Sequence, residues 1–167
     1  MKAIMRIYCD TNTLFSNIRN QPKELAAMRR LLEDYRAGKN TMLRSRVDLR
    51  EVMDTPCTIM RQKLIEDYEC LQPVPNDEKL HGFNKMTDYL GGFFTYPLIS
   101  DVQDEAICAE LEVRGLEHRD AQHITQAVCN ECDVFLTLDY KTIIRHHRNW
   151  LEDHFSNFKV RKPSEML

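Results

Sequence analysis

Apolar positions along the chain change period several times, and each change marks an element. "AIMRIYCD", residues 3–10, is a short β-rich run that stops at an aspartate. "PKELAAMRRLLEDYRAGK" then places Leu25, Met28, Leu31, Leu32 and Tyr35 at helical spacing, with Pro22 near the start and Gly38 as a stop. "TMLRS" reads as a second strand. It runs into "RVDLREVMD", where Val47, Leu49 and Val52 leave Asp48 and Glu51 on a different helical face, and Pro56 breaks or restarts the helix.

"TIMRQKLIEDYECL" continues helically and "QPVPN" is a loop, after which "DEKLHGFNKMTDYLGGFF" is expected to hold one or two helices ended by Gly91 and Gly92. "DVQDEAICAELEVRGL" has an acidic first turn and apolar Val102, Ile107, Leu111 and Val113, a helix closed near Gly115. "RDAQHITQAVCNE" carries Ala121, Ile124, Ala127 and Val128 on one helical face. "DVFLTLD" is a continuous apolar run ending, like the first, at an aspartate. "YKTIIRHHRNWLEDHF" reads as one long helix and "FKVRKPSEML" as a last short strand before Pro163. Strands alternating with helices and apolar on both faces predict an α/β protein with a mostly parallel sheet. With no repeat and no linker, residues 1–167 read as a single domain.

Composition narrows the class. At 43% hydrophobic and 29% charged residues the chain has the make-up of an ordinary soluble globular protein. No stretch approaches the roughly 18 consecutive apolar residues of a membrane span, so a cytoplasmic protein with no membrane association is expected. Six cysteines at irregular spacings fit reduced thiols used in packing, the "CNEC" of Cys129 to Cys132 included. A net charge of −3 excludes a broad electropositive field and leaves nucleic acid to a local basic surface.

In open parallel sheets ligands bind beyond the carboxyl ends of the strands, where the strand order reverses. Asp10 and Asp139 both stand at such ends, and Glu51 and Asp120 can join them from helices. Converging carboxylates repel and lose hydration, so a fold that collects them normally adds a cation. Oxygen-only ligands select a hard ion, Mg²⁺ or Mn²⁺, and the chemistry is then phosphoester hydrolysis. Each acid also has a plainer reading: Asp10, Asp120 and Asp139 as turn or cap residues, Glu51 as part of a solvated face. His123, one turn from Asp120, reads as a surface histidine in preference to one that flanks the site. Lys141, Arg145, His146, His147 and Arg148 form a basic cluster beside Asp139, readable as a solvated face or as phosphate contacts. An aspartyl phosphatase is disfavoured because Asn12 stands where its second aspartate is required.

"IYCDTNTLF", "RSRVDLREV", "RDAQHITQA", "DVFLTLD" and "KVRKPSEML", in that order, resemble the blocks of a PIN-domain nuclease. The resemblance implies a three-layer α/β/α sandwich around a sheet of four or five strands. It implies metal-dependent endoribonuclease activity, as in the toxin half of toxin–antitoxin pairs, with RNA as substrate and an antitoxin and a homodimer as partners. Asp10, Glu51, Asp120 and Asp139 match the family's acidic ligands, and Asn12 and Thr137 its supporting polar residues. Ser45 to Glu51 is wider than the family's spacing, so Asp48 competes for the place of Glu51. The chain is longer than compact toxin members, the excess falling at 56–100, where a helical elaboration is expected. Lys141, Arg145 and Arg148 are the candidate substrate contacts. The same fold with a weakened metal site would be an RNA- or protein-binding module.

Overall fold

A computed structural model describes residues 4–87 and 89–167. Its centre is a five-stranded, all-parallel sheet of β1 (Met5–Cys9), β2 (Asn40–Arg44), β3 (Gln72–Pro73), β6 (Val134–Leu136) and β7 (Lys159–Arg161), in the order β3-β2-β1-β6-β7. Helices flank it: α1 (Pro22–Arg36), α2 (Arg46–Met53), α3 (Thr58–Glu69), α4 (Glu105–Val113), α5 (His118–Cys129) and α6 (Arg148–His154). The architecture is a three-layer α/β/α sandwich. Both edges are poor pairing templates, since β3 is two residues long and ends in Pro73, and β7 carries Lys159 and Arg161.

Strand alternation divides β1 between two cores. Ile7 and Cys9 pack with Met42, Val134 and Leu136 under Met28, Leu31, Leu64 and Tyr68 of α1 and α3. Tyr8 points to the other face, among Leu43, Phe135, Leu111, Ile124 and Leu151. Its ring stacks on Phe135 at 5.6 Å between centroids. Strand β1 is therefore central in both senses: it pairs with β2 on one side and β6 on the other, and it feeds both cores.

The chain first steps outward from β1 to β2 and β3, then returns across β1 to β6 and β7. The strand order reverses beside β1, so the crevice at the carboxyl ends of β1 and β6 is the topological switch point. Asp10 and Thr137 are the first residues beyond those two ends.

Residues 56–100 depart from the expected helical elaboration. Among the described residues only α3 is helical; "QPVPN" supplies the short edge strand β3, and beyond it lies an antiparallel hairpin of β4 (Lys79–Thr87) and β5 (Phe93–Ser100). Gly91, at φ 79°, serves the hairpin turn and does not end a helix. The aromatic and β-branched run "FFTYPLIS" finds a cross-strand partner in β4, which a helical reading cannot foresee. Leu80, Phe83, Met86, Leu98 and Ile99 of the hairpin are all exposed.

A second departure comes after β6. The expected long helix winds as a π-helix over Tyr140–His147 before α6, with the Ile144 amide donating to the Asp139 carbonyl five residues back. Among the described residues, no helix is long and apolar enough to cross a membrane.

Fully buried Phe135 bridges β6 to the aromatic side of the core, so Phe135→Ala should cost about 3–5 kcal/mol in urea unfolding. Leu80→Ser on the exposed hairpin should stay within about 0.5 kcal/mol of the parent protein.

Candidate active site

Asp10 does not cap the turn beyond it. Its side chain takes no backbone amide of the 3-10 turn Thr11–Thr13. Instead Oδ2 accepts from Asn12 Nδ2 and Thr137 Oγ1, both at 2.7 Å. Asn12 is held in turn, its Oδ1 accepting the Leu138 amide at 2.8 Å. Asn12 and Thr137 thus lock one carboxylate oxygen of Asp10 between the ends of β1 and β6, and Oδ1 faces the crevice side of the fold where His123 lies.

Asp48 and Glu51 divide the roles that the sequence left in competition. Asp48 is the third residue of α2 and completes a capping box with Ser45, its Oδ2 accepting the Ser45 amide at 2.8 Å. The same oxygen accepts from the Tyr8 hydroxyl at 3.1 Å, and Oδ1 accepts from Thr11 Oγ1 at 3.0 Å. With those donors and 1% exposure Asp48 is a structural acid. Glu51, one turn on, is half-buried and faces His123, Oε2 standing 3.1 Å from Nε2. Of the two carboxylates, that of Glu51 is the more exposed.

His123 overturns the expectation of a surface histidine. It is 1% exposed, and its Nδ1 meets the Tyr8 hydroxyl at 2.9 Å. Nε2 lies 3.1 Å from Glu51 and 3.8 Å from Asp10 Oδ1, yet it is aligned for a hydrogen bond with neither. Burial alone would depress the imidazole; Asp48, Glu51 and Asp10 together outweigh it and raise its pKa to about 10. An imidazolium fits the donor count: Nδ1–H donates to Tyr8, whose own proton goes on to Asp48 or Ser45. The signal for this burial is present in "AQHITQAVCN", ten residues of α5 and its cap without an Asp, Glu, Lys or Arg, of which Ala121 to Ala127 are all buried.

Asp120 and Asp139 form the other part of the crevice. Asp120 is in the first turn of α5, whose N-cap is Glu117, so it is not the cap residue. Asp139 does cap the π-helical segment Tyr140–His147, its Oδ1 accepting the Thr142 amide at 2.9 Å. The two acids repel: burial first, then Asp139, pushes the Asp120 carboxyl up to about 6. Asp10 is raised to about 7, chiefly by burial, with Glu51 and Asp48 adding to it against the pull of His123 and Thr137. His123 holds Glu51 below its ordinary value despite burial.

Asp10, Asp48 and His123 have ligand atoms all within 4.8 Å of one another. Asp120 and Asp139 stand outside that tight group. Asp48 already accepts from protein donors on both oxygens, so Asp10, Glu51, Asp120 and Asp139 are the acids with an oxygen left for a hard ion. That set fits Mg²⁺ or Mn²⁺ in donor type.

Of the basic cluster, Lys141 and Arg145 are exposed, but the Arg148 guanidinium is engaged by Glu165, Nη2 to Oε2 at 2.8 Å. Compared with protein-family models, with curated proteins and with solved structures, the chain matches none.

Tyr8→Phe removes the hydroxyl shared by Ser45, Asp48 and His123 while keeping the stacked ring. It should cost about 1–3 kcal/mol, the penalty of leaving buried polar groups short of a partner. His123→Leu should cost more, about 3–5 kcal/mol, because it strips the counter-charge from buried carboxylates. Chemical denaturation of the two variants checks the order.

Proposed function

We propose that this protein is a PIN-type endoribonuclease that hydrolyses RNA phosphodiester bonds with Mg²⁺ or Mn²⁺. The observation that supports the reading is a set of acids near the strand-order reversal: Asp10 and Glu51 around His123, and Asp120 near enough to Asp139 and Glu51 to be raised by them. Asp10 comes from the end of β1, Glu51 from α2, Asp120 from α5 and Asp139 from the segment after β6. Asp10, Asp120 and Asp139 would hold the ion, with Glu51 as a further ligand or as the group that orients the attacking water. A bound divalent ion supplies a water of lowered pKa and stabilises the developing phosphorane charge.

The remaining residues act by position. Asn12 and Thr137 keep Asp10 from rotating. Tyr8 and Asp48 fix His123, whose charge keeps Glu51 ionised and able to accept a hydrogen bond from water. Lys141 and Arg145 offer exposed cations beside Asp139 for RNA phosphates, whose contacts supply most sequence-independent affinity. Single-stranded or looped RNA suits an open crevice of this kind. A toxin role, with an antitoxin partner and a homodimer, rests on the resemblance alone.

A second reading has its own support. The imidazolium of His123 already neutralises part of the acidic group, as in a binding module that needs no ion. The two readings part in one experiment: purified protein with structured RNAs and Mn²⁺ or Mg²⁺, beside Asp10→Asn, Glu51→Gln and Asp48→Asn. The nuclease reading expects metal-dependent cleavage that Asp10→Asn abolishes and that Glu51→Gln slows by about 10²–10⁴-fold. Asp48→Asn should instead lower stability first. Saturating metal, at 100 times its Kd, should stabilise the wild type by about 2.7 kcal/mol and leave Asp10→Asn unmoved. RNA retention with neither cleavage nor a metal-dependent shift in Tm would establish the binding module.

A further inference from the structure

Away from the acidic crevice, α4 carries Glu105, Cys108 and Glu112 at helical spacings of three and four, which places them on one face. The chain then turns back within four residues, Gly115 taking φ 98°, its amide bonded to the Glu112 carbonyl and that of Leu116 to the Leu111 carbonyl. This sets His118, the first residue of α5, against the last turn of α4. Its Nδ1 lies 2.7 Å from Glu112 Oε1, and Cys108 Sγ lies 3.6 Å from the same oxygen.

Thiol, carboxylate and imidazole thus have ligand atoms all within 4.8 Å of one another, and all three line a cavity of about 350 Å³. Cys108 is 5% exposed, so its sulfur reaches this cavity from the core, and Glu112 and His118 close it from the surface.

We propose that Cys108, Glu112 and His118 form a zinc site, separate from the acidic crevice and independent of its chemistry. One sulfur, one nitrogen and one oxygen are the donors of a borderline-soft ion and a poor set for Mg²⁺, which takes oxygens. Three protein ligands leave a fourth position facing the cavity. Glu105 lines the same cavity, its Oε1 3.3 Å from His81 Nε2, and the fourth position is left to solvent or to that carboxylate. On coordination the Cys108 thiol proton leaves to solvent, the His118 ring proton passes by way of solvent from Nδ1 to Nε2, and the Glu112–His118 hydrogen bond is exchanged for two bonds to the metal. The ion clamps the end of α4 to the start of α5, and the first turn of α5 is the one that carries Asp120. The site is thereby a means of fixing that helix start with a metal of a different class from the one proposed for the crevice.

The test is titration of the metal-stripped full chain with Co²⁺, followed by absorption, then displacement with Zn²⁺. A single equivalent should give a thiolate-to-cobalt charge-transfer band with tetrahedral d–d absorption, and Zn²⁺ should remove both. Oxygen-only ligands give no thiolate band, so the acidic crevice does not contribute. Cys108→Ser should abolish the band, and Cys132→Ser should leave it. His118→Gln changes an exposed side chain and keeps the test valid if Cys108→Ser fails to fold. It should weaken zinc binding at least about tenfold, the loss that even an outer-shell change produces. No charge-transfer band at one equivalent, or a band that survives Cys108→Ser, or zinc affinity unchanged by His118→Gln, overturns the site.

Discussion

The structure turns on the burial of one positive charge under the end of β1. Asp10, Asp48 and Glu51 cannot be gathered around the strand end without a counter-charge, because desolvated carboxylates repel each other and tend to take up protons. His123 supplies that charge from α5, facing Glu51 and Asp10 through one ring nitrogen and Tyr8 through the other. Through this ring β1, α2 and α5 are tied into one unit, and the tie determines how close α5 approaches the sheet. The absence of any Asp, Glu, Lys or Arg from Ala121 to Asn130 is what permits so close an approach.

The same tie separates structural from open acids. Asp48 spends its lone pairs on the Ser45 amide, Tyr8 and Thr11, closing the first turn of α2 as it does so. Glu51, one turn along, faces the imidazole and Thr11 and stays half-buried. Asp10 has one oxygen anchored by Asn12 and Thr137 and the other turned toward the charge. Asp120 and Asp139 complete the crevice from α5 and from the π-helical segment. The proposed nuclease chemistry needs this asymmetry: anchored oxygens to set direction, open oxygens to meet an ion, and a fixed cation that keeps Glu51 charged.

The excursion between β3 and α5 obeys other physics. The β4–β5 hairpin pairs only with itself and shows apolar side chains on exposed positions. Beyond it α4 and α5 meet in a short turn that gathers Cys108, Glu112 and His118 around a cavity. This part of the molecule touches the crevice through the first turn of α5, where the proposed zinc ligand His118 precedes Asp120 by two residues. Two donor sets of different softness on either side of that turn would let two metals bind without competing for one site.

Apolar periodicity by itself determined the strand–helix alternation, the parallel sheet and the placing of Asp10 at a strand end, because each depends on local spacing; Asp139 falls three residues beyond β6 and caps the next helical segment instead. Periodicity failed at residues 79–100, where a strand needs its cross-strand partner before it is preferred to a helix, and at the helix after Asp139, where a π-helical winding replaces the regular one. Only the tertiary structure places Asp48 against Tyr8 and Thr11 and Glu51 against His123, since three residues of sequence separation say nothing of which carboxylate meets which partner. It alone moved His123 from the surface to the centre, for its partners Tyr8, Asp48 and Glu51 lie more than seventy positions away in sequence. A charge is buried by what surrounds it in space, and no local pattern records that.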